Sequence, residues 1–178
     1  AKKLNAPLFA EKSSGAPFHI ISDELCSHFD LFLQNTNRIE FAPDLILRIG
    51  APLTSKFFNQ WIEQEKCSQI ILDQLGTGRN PSYGPTQFIS GSVKSWLEKI
   101  HSNVQANPDL SWTVKILEKE KETRLALDQY LQDQNSFTEW KLHHSLIEKL
   151  PASCQVFLGN SMVIRDFENC AEIKNKDL

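Results

Sequence analysis

"PDLILRIGAPLTSKFFNQWIE", residues 43–63, reads as a strand, a glycine turn and the opening of a helix. Asp44-Leu45-Ile46-Leu47-Arg48-Ile49 is apolar on both faces of an extended chain, and Gly50 closes it. Strands covered on both faces belong to parallel sheets, whose crossover helices lie against them. Thr54 or Ser55 can accept the free N–H groups that begin a helix. Phe57, Phe58, Trp61 and Ile62 then recur on one helical face, to about Gln64.

The same alternation continues outward. Ala6–Ala10, Gln69–Asp73, Thr86–Ile89 and Gln155–Leu158 read as further short strands. From Ser92, the residues Val93, Trp96, Leu97, Ile100 and Val104 follow the helical period until Asn107-Pro108 stops it. A polar helix is expected over 110–132, with the charges of Lys115–Glu122 forming a solvated face. Ser136-Phe137-Thr138-Glu139 has capping-box spacing and opens a helix to Leu150, before Pro151. Short strands separated by helices define an α/β fold with right-handed crossovers in a parallel sheet. The stretch 110–150 offers no strand and reads as a helical connector. No internal repeat or low-complexity stretch is present.

Composition narrows the function classes. The 178 residues are 40% hydrophobic and 23% charged, enough to bury the core of one domain and a piece of another. With 19 basic against 22 acidic residues, the net charge of −3 gives no basic excess for nucleic acid. No apolar run is long enough to span a bilayer. The polar start, Ala1-Lys2-Lys3-Leu4-Asn5, does not read as a signal peptide, so a cytoplasmic setting is expected. Cys26, Cys67, Cys154 and Cys170 form no C-x-x-C pair and read as reduced thiols, Cys26 and Cys154 as buried ones.

Each turn that could bind a ligand also has a plainer reading. Gly76-Thr77-Gly78-Arg79-Asn80-Pro81 begins like a dinucleotide fingerprint but carries Pro81 where the third glycine belongs. A turn in which Asp73 and Arg79 pair or cap is the better reading. Gly50–Lys56 leads into a helix N-terminus, where free N–H groups and Lys56 suit an anion; an ordinary capped connection is the alternative. His143 and His144 are adjacent, so they face different directions and cannot chelate one metal. After Gly159, Asn160 and Ser161 supply short polar groups, and Arg165 follows one helical turn later, suited to a carboxylate; a plain capped turn fits as well. Neither a Ser/His/Asp nor a Cys/His set stands out, and no catalytic carboxylate pair does.

Four stretches taken together carry a resemblance: "HFDLFLQN" (28–35), "PDLILRIGAPLTSKFFNQWIE" (43–63), "LDQLGTGRNP" (72–81) and "VFLGNSMVIRD" (156–166). In order and spacing they resemble MenD, the thiamine-diphosphate-dependent 2-succinyl-5-enolpyruvyl-6-hydroxy-3-cyclohexene-1-carboxylate synthase family of menaquinone biosynthesis. The resemblance implies a much longer transferase. An earlier domain binds the cofactor's pyrimidine, and a later one binds its diphosphate through Mg2+ or Mn2+ at a Gly-Asp-Gly motif. It implies that residues 1–110 are a Rossmann-like central domain shortened at its start, 111–150 a helical connector, and 151–178 the first strand and turn of the last domain.

By the same resemblance, Ser161 and Arg165 match residues that contact substrate carboxylates, and Lys56 a lysine facing the same cleft. Asn160 falls on the cofactor side. Phe57 stands where some relatives have arginine, and Gln34 where "DLFLR" often ends in one. No catalytic or metal-binding residue is implied in this chain, which contains no Gly-Asp-Gly. Its partners would be 2-oxoglutarate, isochorismate, the missing N- and C-terminal domains and further copies of the whole protein. The isolated chain is expected to be inactive, with residues 169–178 frayed. The rival expectations are a non-catalytic FAD- or ADP-binding module, as the central domain is elsewhere in the superfamily, and a structural interaction domain.

Overall fold

The computed structural model describes residues 1–171, apart from 20, 21, 36, 37, 77, 79, 81–83, 107, 152 and 153. Its strands are β1 (Leu8–Phe9), β2 (Leu25–Cys26), β3 (Leu45–Ile49), β4 (Ser68–Asp73) and β5 (Thr86–Ser90). The α-helices are α1 (Ala16–His19), α2 (Phe29–Asn35), α3 (Lys56–Glu65), α4 (Val93–Asn103), α5 (Ser111–Asp133), α6 (Glu139–Lys149) and α7 (Met162–Cys170). Every strand pairing is parallel: β1 with β2, and β3-β4-β5 in that order. The chain is therefore α/β with parallel sheets flanked by helices, as expected. It divides into two compact units, residues 1–6 with 33–112 and residues 7–32 with 113–178.

The first unit is built on the 43–63 stretch. Gly50 takes a φ of 77° at the end of β3, a backbone that side chains resist, and its N–H donates to Leu72 on β4 at 2.8 Å. Ser55 caps α3 by accepting the Phe58 N–H at 3.0 Å. Phe58, Trp61 and Ile62 are buried, with the Phe58 and Trp61 rings edge to face at 5.8 Å. Register sets Ile71 of β4 between Arg48 and Phe88, and Leu72 between Ile49 and Ile89. Burial is greatest on the central strand. Ile71 and Leu72 are buried, whereas Leu45, Ile49 and Phe88 are each about half exposed. The expectation of strands covered on both faces thus holds for β4 and fails for the edges, which have one neighbour each. Ser92 caps α4, whose apolar face is only half covered.

In the second unit residues 7–32 meet α5 and α7, and α7 packs on α6. Phe9 stacks on Phe29 at 5.2 Å and meets Phe32 edge-on at 6.2 Å. On α5, Thr113, Ile116, Leu127 and Leu131 form the buried stripe, and Glu120 lies in line with them. Its carboxylate accepts the backbone N–H groups of Ser27 (3.0 Å) and His28 (3.0 Å) and the His28 Nδ1–H (2.8 Å). Burial works to raise the Glu120 pKa, but the His28 and backbone hydrogen bonds outweigh it and hold the carboxyl below its ordinary value. Burial depresses His28, which stays neutral and donates to Glu120.

Five expectations need correction. Gln155–Leu158 forms no strand: apolar composition cannot make a ladder without a partner, and Phe157 stands 98% exposed. The 115–122 charges are not all solvated, since Glu120 turns inward. The N-cap of α6 is Thr138 rather than Ser136, its hydroxyl accepting the Lys141 N–H at 3.2 Å. Cys154 is exposed, while Cys26, Cys67 and Cys170 are buried. Of the segment expected to fray, Asn169–Ala171 is instead buried, and 172–178 lies outside the described residues.

The Glu120 and His28 shifts predict an acid-sensitive second unit. The folded His28 binds its proton less readily than the unfolded one, so stability falls as pH drops below 6.5. Glu120 contributes stability above 4.5 that is lost as pH falls through its lower folded value. Glu120→Gln keeps an acceptor without the charge. In urea titrations, its stability should fall less steeply below pH 4.5 than that of the parent chain.

Candidate functional site

Helix α7 carries the strongest site residues read from the sequence, and its two halves differ sharply. Ser161, Met162, Val163 and Arg165 are exposed, while Asp166 to Cys170 are all buried. The buried half is gripped residue by residue. Trp140 of α6 donates its indole N–H to Asp166 Oδ1 at 3.2 Å. The His143 ring meets Phe167 edge-on at 6.1 Å. The Glu168 carboxylate accepts two consecutive backbone N–H groups, those of Lys12 and Ser13, the latter at 2.8 Å.

A helix ends with four carbonyls that lack helical partners. In α7 three of them are satisfied: Phe167 O by the Ala171 N–H (3.0 Å), Glu168 O by the Lys12 ammonium and Cys170 O by His144 Nδ1 (3.1 Å). Since a carbonyl only accepts, His144 carries its proton on Nδ1. Lys12 also reaches Ser27 O at 3.4 Å. Burial lowers its pKa to about 8, with Glu168 and Glu120 opposing the shift, so the side chain is charged at neutral pH. A cation at this end complements the helix dipole. Burial pushes the Cys170 thiol up to about 12, despite Lys12, so it is no nucleophile.

The exposed half begins with an unusual cap. Ser161 has φ 73° and ψ −130°, a region disfavoured for any residue with a side chain. Its N–H is taken by Asn160 Oδ1 at 2.7 Å, and its hydroxyl makes no capping bond to the helix. The hydroxyls of Ser55, Ser92 and Thr138 each accept a helix N–H instead. Arg165, one turn on, sets Nη1 near Met162 Sδ at 3.9 Å and keeps its guanidinium at the surface. Asn160, Ser161 and Arg165 are thus all exposed near the start of α7, where they present an amide, a hydroxyl and a guanidinium.

Lys56, in the first unit, is the exposed first residue of α3, next to the Ser55 cap. Around the Gly76–Pro81 stretch, the described residues bond within the sheet unit; Thr77, Arg79 and Pro81 lie outside them. Asp73 Oδ1 accepts the Leu75 N–H at 3.0 Å, while Asn80 accepts from Arg48 at 3.5 Å and donates to Thr86 Oγ1 at 2.6 Å. Arg79, expected to pair or cap there, lies outside the described residues. His143 and His144 both point into packing, as structural histidines. Sequence reasoning missed Lys12, Glu120 and Glu168. For Glu120 a signal existed, because it stands four residues after Ile116 and seven before Leu127, on the apolar stripe.

A family model described as "Middle domain of thiamine pyrophosphate" matches residues 1–158. The chain belongs to this family of middle domains of thiamine pyrophosphate enzymes. Its curated relatives include the 2-succinyl-5-enolpyruvyl-6-hydroxy-3-cyclohexene-1-carboxylate synthase of Trichodesmium erythraeum (strain IMS101), 28% identical over 171 residues, which are 94% of this chain and 29% of that protein. The synthase of the same name from Bacillus cytotoxicus is 31% identical over 143 residues, 78% of this chain and 24% of the relative. That of Halobacterium salinarum (strain ATCC 29341 / DSM 671 / R1) is 26% identical over 180 residues, covering 100% of this chain and 30% of its own. The MenD resemblance read from four stretches is this same relationship. The chain spans about 30% of the length of these relatives.

Among the described residues, no group of three His, Cys, Asp or Glu side chains converges as a metal site.

The strained cap predicts that stability and ligand binding separate at one position. Ser161→Gly should stabilise the chain by about 1 kcal/mol in thermal denaturation, because glycine adopts this backbone without strain. Ser161→Val should destabilise it by a similar amount.

Proposed function

We propose that this chain is the central part of a thiamine-diphosphate-dependent transferase that decarboxylates 2-oxoglutarate and adds the succinyl unit to isochorismate. The single observation that carries the proposal is the exposed end of α7. There Ser161 and Arg165 are both exposed, on a chain whose curated relatives include several named for that synthase. Both proposed substrates are carboxylates. The Arg165 guanidinium supplies paired N–H donors matched to a carboxylate, and the uncommitted Ser161 hydroxyl supplies another. Asn160 contributes its amide on the cofactor side, and Lys56, at the start of α3 in the first unit, is proposed as a substrate contact in its own right.

The chain's share of the chemistry in this reading is binding and orientation. The carbanion chemistry belongs to the cofactor, with Mg2+ or Mn2+, bound by domains outside this sequence. Residues 1–110 correspond to the central domain, 111–150 to the connector and 151–178 to the opening of the last domain. The intact protein would act in the cytoplasm as a homo-oligomer.

Arg165→Ala in the full-length enzyme should raise KM for the acidic substrates about tenfold, the scale of losing one charge-assisted hydrogen bond. Unchanged kinetics would remove Arg165 from the site. The 178-residue chain given thiamine diphosphate, Mg2+ and both substrates should form no product. Calorimetry with ADP and FAD should show no binding; micromolar affinity for either would make the chain a nucleotide module instead.

A further inference from the structure

Arg165 is exposed, yet the next residue is buried. Asp166 is 5% exposed and marks the point where α7 passes from surface to interior. A carboxylate buried this far must be hydrogen-bonded or it is costly. Its Oδ1 accepts the Trp140 indole N–H at 3.2 Å. The indole is itself held from the far side, edge-on to the Tyr130 ring of α5 at 5.9 Å. The Glu168 and Cys170 bonds grip the last turns of α7 and fix its depth. The Trp140–Asp166 bond acts one residue from Arg165 and fixes the rotation of the helix there.

We propose that Trp140 is a positioning residue: through Asp166 it sets the direction in which Arg165 presents its guanidinium to a carboxylate substrate. This rests on the proposed reading of Arg165 as a substrate-binding residue. Without the indole N–H, Asp166 is left buried without that donor, and the first turn of α7 rotates to let it reach water. Arg165 turns with it.

The test is a double-mutant cycle in the full-length enzyme with 2-oxoglutarate as the varied substrate. Trp140→Phe keeps a ring against Tyr130 and deletes only the donor. It should raise KM about fivefold with kcat within about twofold, the size of a coupling carried through packed neighbours. In an Arg165→Ala background the same change should have no further effect on KM, because the residue it positions is gone. Equal effects in both backgrounds would make Trp140 merely structural and overturn the proposal, as would an unchanged KM in the Trp140→Phe enzyme. If Arg165→Ala alone is silent, the reading of the site fails, and the positioning role falls with it. Approached from the other partner, Asp166→Ala should reproduce the KM rise, and Asp166→Asn, which retains Oδ1, should restore the parent value. A rise of the same size in Asp166→Asn would also overturn it.

Discussion

Two consecutive N–H groups, those of Lys12 and Ser13, point at one carboxylate, and much of the second unit depends on that grip. Glu168 sits near the end of α7, where helical carbonyls repel a negative side chain. The same few residues cancel the conflict, because the Lys12 ammonium lands on the carbonyl of Glu168 itself. One short turn therefore serves a helix end twice, with its backbone for the side chain and its side chain for the backbone. Each buried charge therefore has hydrogen-bond partners from the backbone: the Glu168 and Ser27 carbonyls for the Lys12 ammonium, the Lys12 and Ser13 N–H groups for the Glu168 carboxylate. The consequence for α7 is a firmly seated second half and a first half free to face a ligand.

Glu120 repeats the arrangement on α5 with Ser27 and His28. In both places a helix carboxylate takes adjacent backbone N–H groups of residues 7–32. Those residues have little sheet to satisfy them, since β1 and β2 are two residues each. Apolar burial alone would leave such loops with unmatched donors, and carboxylates reaching out from helices meet that need. The second unit is thus bound by hydrogen bonds to charged groups as much as by its aromatic contacts, which is why its stability is tied to pH.

Local rules made the first unit legible. The strand, glycine and capped helix of 43–63 are decided by neighbours in sequence, and β3, α3, β4, β5 and α4 fall where periodicity and capping put them. The rules failed where the deciding partner is distant. Gln155–Leu158 has the composition of a strand and no ladder to join. Glu120, inside a charge-rich run, resembles its solvated neighbours until its place on the apolar stripe is noticed. Lys12 and Glu168 lie 156 residues apart, and nothing near either announces the other. The candidate site was read as residue types, Asn160, Ser161 and Arg165, because turn chemistry is local. The bonds that Trp140, His144 and Lys12 make to α7 were not legible.

The cap of α7 shows how such a site differs from an ordinary helix start. At Ser55, Ser92 and Thr138 the cap has a negative φ and the hydroxyl is consumed by a helix N–H. A ligand arriving there would have to displace that bond. At Ser161 the positive φ turns the side chain out of capping position, and Asn160 takes the one N–H that lies within its reach. The Ser161 hydroxyl is thereby left out of the helix cap. The strain is sustained only because the other end of α7 cannot move, held by Glu168, Lys12 and His144. A loosely packed helix would relieve the same strain by unwinding its first turn, and Ser161 would become one more cap.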